Sequence, residues 1–88
     1  MAYKLLVAPA AVRDLRKRLP RQAKTSIQTA IEELASNPTP LGSKVLQTSP
    51  RLFRIRVGDY RIIYSISADT VVIEKVGHRR EVYRFLQR

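Results

Sequence analysis

Three arginines, Arg54, Arg56 and Arg61, fall within eight positions of the stretch FRIRVGDYRIIY, residues 53–64. A guanidinium stays charged throughout the physiological pH range and presents a planar fork of donors that matches phosphate. Gathered, such groups hold an anion; scattered, they form a solvated basic surface. Strand alternation decides between the two. It puts Phe53, Ile55 and Val57 on one face of a strand and Leu52, Arg54 and Arg56 on the other. On the next strand Tyr60, Ile62 and Tyr64 share a face, and Arg61, Ile63 and Ser65 share its opposite. With Gly58-Asp59 as a two-residue loop of type II′, Val57 pairs with Tyr60 and Arg56 with Arg61. One face is then apolar and aromatic, and the other collects all three arginines; a slip of one residue would scatter both groups. Like charges directly opposite each other repel in a sheet. Glu74, on a later strand, is a candidate neighbour on the same face, but one carboxylate does not neutralise three guanidiniums. The pattern points to an anion site.

The elements that must position these residues follow from the rest of the chain. YKLLVA (Tyr3 to Ala8) reads as an opening strand. Pro9 suits the first turn of a helix, in which Val12, Leu15 and Leu19 recur at helical spacing until Leu19-Pro20 ends it. Ala23, Ile27, Ala30, Ile31 and Leu34 form the apolar stripe of a second helix, stopped by SNPTPLG (Ser36 to Gly42). From Leu52 the period changes from helical to alternating. LFRIRV, YRIIYSI and TVVIEKV predict three consecutive strands, joined by Gly58-Asp59 and by Ala68-Asp69. Ala-Asp suits a primed turn poorly, so the second connection is expected to be longer than two residues. HRREVYRFLQR, after Gly77, predicts a short terminal helix that uses Val82, Phe85 and Leu86. The expected fold is α+β: a small sheet of about four strands with an N-terminal helical hairpin on one face, in the order β-α-α-β-β-β plus a short C-terminal helix.

Composition narrows the partners. A chain of 88 residues predicts a single domain over residues 1–88. Seventeen Lys and Arg, twelve of them Arg, against seven Asp and Glu give a net charge of +10, which favours a polyanion or an acidic protein. The absence of cysteine excludes disulfides, thiolate metal sites and a catalytic thiol. No apolar run approaches the roughly 20 residues of a spanning helix. Leu5 to Val12 reads as a strand and a helix start rather than a signal peptide, and a cytoplasmic location is expected, with no membrane partner.

The R-x-R strand, the G-D-Y-R turn and the ending GHRREVY, taken jointly over residues 53–84, resemble the RelE branch of the RelE/ParE toxin superfamily, whose element order the whole chain follows. The resemblance implies a toxin of a type II toxin-antitoxin system: a ribosome-dependent endoribonuclease that cuts mRNA in the decoding site, held inactive by an antitoxin from an adjacent gene. Arg54 and Arg56 match the two basic residues of the family's second strand. Arg61 matches the arginine after the turn, Arg79 the one after the last core strand, and Tyr83 the terminal aromatic. Better-known members have lysines at the first two positions and no histidine at position 78.

For metal-free RNA cleavage, with no cofactor, the 2′-OH must lose a proton, the phosphorane must be stabilised and the 5′-oxygen must be protonated. Arg54, Arg56, Arg61 and Arg79 suit the second task, usually the largest catalytic term. Arginine does not act as a base, and His78 alone has a reference pKa, about 6.5, suited to proton transfer near neutrality. A lone histidine is also often structural. Tyr83 would stack on a base or orient the 2′-OH, or else belong to the terminal helix's core. Arg13, Arg16, Lys17, Arg18, Arg21 and Lys24 form a solvated basic face that on a ribosome would meet rRNA phosphates. Two other functions fit the fold: a ParE-like toxin that poisons DNA gyrase without catalysis, and a small RNA-binding module, for which Tyr60 and Tyr64 lie on the wrong, core side.

Overall fold

A computed structural model describes residues 2–17, 19–46 and 51–86. Eight elements follow one another: β1 (Lys4–Val7), α1 (Pro9–Arg16), α2 (Arg21–Ser36), β2 (Lys44–Val45), β3 (Leu52–Val57), β4 (Tyr60–Ser67), β5 (Thr70–His78) and α3 (Arg79–Leu86). The strands form one mixed sheet in the order β1-β5-β4-β3-β2, with β1 parallel to β5 and the other pairs antiparallel. The fold is α+β, as expected. The fifth strand, β2, is a two-residue edge pairing Lys44 with Arg54 and Val45 with Phe53, too short to carry a period in the sequence. No described helix is long and apolar enough to cross a membrane.

The apolar stripes meet on one side of the sheet. Ile27, Ile31 and Leu34 of α2 and Ala11 of α1 join Ile62, Tyr64, Val71, Ile73 and Val76 in a buried core. Burying each large aliphatic side chain contributes roughly 1.5–3 kcal/mol, so this shared face sets the register of all the strands. Tyr64 is fully buried, stacks on Phe53 with ring centroids 5.5 Å apart and donates its hydroxyl to the Pro38 carbonyl at 2.7 Å, which fastens the loop after α2. Burial pushes its phenol pKa up.

α1 closes earlier than expected, at Arg16, and Leu19 packs on the core from the connection that follows. Strand β1 ends at Val7 and pairs with β5 only as far as Ile73, which leaves the later part of β5 without a strand on that side. Asp14 of α1, 4% exposed, accepts the Val76 N–H at 3.0 Å and the Lys75 ammonium at 2.9 Å there. A helix carboxylate thus takes the place of a missing strand partner. Removing it would strand a buried amide and a half-buried ammonium, so it is the polar anchor between helix and sheet.

The two hairpin turns differ in strain. Gly58 has φ of +61° and Asp59 does not share the left-handed region, the pattern of a type II′ turn. The β4–β5 connection, expected to be longer, is also two residues: Ser67 pairs with Thr70, and Ala68 adopts φ of +51°. It is held tight from the sheet edge, where the Lys4 N–H donates to the Asp69 carbonyl at 2.8 Å and the two side chains form an exposed ion pair at 3.9 Å. A left-handed non-glycine residue costs about 1–2 kcal/mol. Ala68→Gly should therefore raise stability, by about 0.5–1 kcal/mol after the added chain entropy of glycine. Urea unfolding should show a higher midpoint with an unchanged slope; a lower midpoint would mean that the turn is not strained.

Candidate active site

Arg56 pairs with Arg61 across the β3–β4 hairpin, and Val57 with Tyr60, the register that alternation predicts. Arg61 is fixed by the turn itself: its Nη1 donates to the carbonyls of Gly58 at 3.1 Å and Tyr60 at 3.0 Å. The same turn starts the last helix, because the Arg79 N–H donates to the Asp59 carbonyl at 2.9 Å. One two-residue loop thereby places arginines from two elements.

Helix α3 lies over the arginine face of the sheet. Gly77, opposite Arg61, faces it without a side chain; a Cβ there would sit 3.5–3.6 Å from Glu81 and Val82, so the helix crosses close to the strand. Val82 is buried, as is Ile63, the one large apolar residue of β4 on this face. From the far end Lys75 sits over the Phe85 ring at 5.8 Å. With Val82 turned inward, helical spacing sends Arg79 and Tyr83, and Arg80 and Arg84, along the rim. Between this helix and the strands runs an open cleft of about 720 Å³, lined by Arg54, Arg56 and Arg61 from the sheet and by Arg79, Arg80, Val82, Tyr83, Arg84 and Leu86 from α3.

Among the described residues, six arginines line the cleft and no carboxylate does. Each of the four ion pairs among the described residues uses a lysine: Lys4–Asp69, Lys17–Asp14, Lys17–Glu81 and Lys75–Asp14. Glu74, the candidate neutraliser, accepts the Ser65 hydroxyl at 2.9 Å and pairs with no arginine. Arg54 carries a buried Nη1 without a hydrogen-bond acceptor among the described residues. Burial and then the charge of Arg56 lower the Arg54 pKa. Arg61 is lowered by burial, then by Arg56, Arg54 and Arg79, with Asp59 opposing. Both guanidiniums are held where their charge is disfavoured, by burial and by one another.

Arg54, Arg56, Arg61, Arg79 and Tyr83 thus come together, and Tyr83 is exposed in the cleft rather than buried. His78 does not join them. The β4–β5 ladder skips Glu74, pairing Ile63 with Lys75 and Tyr64 with Ile73, and this bulge inverts the alternation of β5. His78 consequently pairs with Tyr60 on the core side, edge to face with its ring at 6.0 Å. It lines a separate cavity of about 140 Å³ with Asp14, Lys17 and Glu81 among others, and its Nδ1 accepts the Arg80 N–H at 3.4 Å. Arg13, Arg16, Arg21 and Lys24 are exposed on the helices across the sheet, and Lys17 there is engaged by Asp14 and Glu81; Arg18 lies outside the described residues. Sequence reasoning missed Arg80 and Arg84, although a pair four residues apart on a predicted helix signals a shared face.

Residues 5–83 match the family described as "ParE toxin of type II toxin-antitoxin system, parDE". Toxin RelE3 of Methanocaldococcus jannaschii is 34% identical over 93% of this chain and 97% of its own. Toxin RelG of Mycobacterium tuberculosis is 34% identical over 96% of this chain and 99% of its own. The chain is a RelE/ParE-family toxin of the type II toxin-antitoxin class. Its fold agrees: the toxin–antitoxin complex RelBE2 of Mycobacterium tuberculosis superposes with a TM-score of 0.74 at 33% identity, over 90% of this chain and all of that one.

The site depends on Val82 seating α3 and presenting Tyr83 outward. Val82→Ala should cost about 2 kcal/mol of unfolding free energy, as for a buried aliphatic truncation, and Tyr83→Phe less than about 0.5 kcal/mol. In thermal unfolding, a loss for Tyr83→Phe equal to that for Val82→Ala would mean that the Tyr83 hydroxyl also holds the helix.

Proposed function

We propose that the cleft binds RNA and cleaves its backbone, acting on mRNA in the ribosomal decoding site, and that the chain inhibits translation in this way. The carrying observation is the convergence of six arginines without a carboxylate beside an exposed tyrosine. Arg54, Arg56, Arg61 and Arg79 are fixed donors for the developing phosphorane; Arg61, immobilised by two carbonyls, needs no reorganisation to act. Tyr83 offers a face for a splayed base or a hydroxyl for the ribose 2′-OH. The exposed bases of α1 and α2, on the other side of the sheet, suit rRNA phosphates and contribute salt-sensitive affinity.

Proton transfer in this reading does not use His78, which faces the other way. The described cleft lining holds arginines and Tyr83 but no carboxylate or histidine, so solvent or a group of the ribosome takes the 2′-OH proton and supplies one to the leaving 5′-oxygen. Regulation follows from charge. A segment that is acidic or amphipathic and covers the cleft would neutralise both its chemistry and its field, and association between opposite charges is fast. Solved relatives include a RelB–RelE antitoxin–toxin complex from Methanococcus jannaschii, which supports an antitoxin as that partner.

Purified protein with mRNA-programmed ribosomes, beside naked mRNA, tests the reading. Cleavage should require the ribosome, and Arg61→Ala should abolish it in a folded protein, with a loss of about 10²-fold or more for a transition-state donor. His78→Gln should keep its rate per folded molecule, and the rate should rise from pH 6 to 8 without a bend near the histidine pKa of about 6.5. Full activity in Arg61→Ala would remove the phosphate role. Inhibition of gyrase supercoiling without cleavage would favour the ParE-like reading instead.

A further inference from the structure

We infer that the cleft is also a binding site for free oligophosphates, compact chains of adjacent phosphates such as the tail of a nucleoside triphosphate, which compete with RNA for it. The inference rests on the cleft being a phosphate site, not on its cleaving anything.

The charge balance carries it. A phosphodiester backbone brings one negative charge per linkage and spreads them along the strand. Six guanidiniums drawn from β3, β4 and α3 gather around one cleft of about 720 Å³ rather than along a line. A triphosphate packs several charges and many acceptor oxygens into a few ångströms. It matches a convergent rather than a linear array, and bidentate contacts reward that density. Two features mark the array as receptive. Among the described residues the buried Arg54 Nη1 has no acceptor, and no ion pair involves an arginine. Burial first, and then repulsion from Arg56, Arg54 and Arg79, lowers the Arg61 pKa, and the same ligand would relieve the repulsion. Tyr83, 66% exposed at the rim beside Leu86, offers a stacking surface for an attached base.

Isothermal titration of the free protein, without magnesium and at constant ionic strength, separates the possibilities. Tripolyphosphate should bind saturably and at least tenfold more tightly than sulfate, the step worth about 1.4 kcal/mol. Adenosine should not bind measurably, and ATP should bind as tightly as tripolyphosphate or tighter. ATP equal to tripolyphosphate assigns the ligand to the phosphate chain alone; tighter binding that Tyr83→Ala reduces to the tripolyphosphate level adds the base. Arg54→Gln and Arg61→Gln should each weaken tripolyphosphate about tenfold, the scale of a charge-assisted hydrogen bond, whereas Lys4→Gln on the far edge strand, with the same loss of charge, should change it less than about twofold. In the ribosome assay, ATP should raise the apparent KM for mRNA and leave kcat unchanged. The inference is overturned if wild-type protein binds tripolyphosphate no better than sulfate, or if Lys4→Gln weakens binding as much as the cleft variants, which would mean a diffuse field. It stands if tripolyphosphate binds in the cleft of a protein that proves not to cleave mRNA.

Discussion

Arg56 and Arg61 face each other across a two-residue turn, and the rest of the molecule either creates that confrontation or accommodates it. The apolar face of the hairpin must meet α1 and α2, so the register is not free to slip and the arginines are not free to part. The turn that closes the hairpin locks Arg61 with two carbonyls and starts α3 with a third, which adds Arg79 to the group. A folding force on one side of the sheet thereby assembles an electrostatic site on the other. The lysines take up the carboxylates that form ion pairs, and this segregation keeps the cluster uncompensated.

The bulge at Glu74 determines what else belongs to the site. Below it, odd-numbered residues of β5 face the core; above it, even-numbered ones do, so that Val76 and His78 point to the core side and Gly77 meets Arg61. One inserted residue clears a path for α3 over the strand and sends the single histidine away from the cleft. It also leaves Lys75 and the Val76 amide to be satisfied by Asp14 of α1. Helix, sheet and cleft are coupled through a few polar contacts of this kind, in a core too small for many of them.

Most of the hairpin was legible because two signals agreed: alternation sorted the side chains, and a glycine-led turn gave the only register that kept them sorted. The stripe of α2 was legible for the same reason, over four turns. What escaped lacked a repeating signal. Strand β2 is two residues long, and the bulge is a single residue with no compositional mark. The tight Ala68-Asp69 turn defies local preference because an edge strand holds it, a tertiary effect that turn propensities do not contain. Within the site, the five residues of the arginine–tyrosine group were readable from alternation and family resemblance together, whereas Arg80 and Arg84 were missed although their helical spacing signals a shared face. His78 was read as part of the terminal helix, whereas β5 runs on to it and the bulge turns it to the core side.

The fold keeps two like charges opposed at a cost in its own stability. A double-mutant cycle on Arg56→Gln and Arg61→Gln, read by chemical unfolding at low salt without multivalent anions, isolates their interaction from the hydrogen bonds that Arg61 loses. The coupling should be repulsive, on the order of 0.5 kcal/mol for an exposed cross-strand pair, and should shrink as salt is raised. A coupling of zero, or an attractive one from stacked guanidiniums, would contradict the account: the arginines would then be comfortable neighbours, and the cleft would carry no electrostatic demand for an anion.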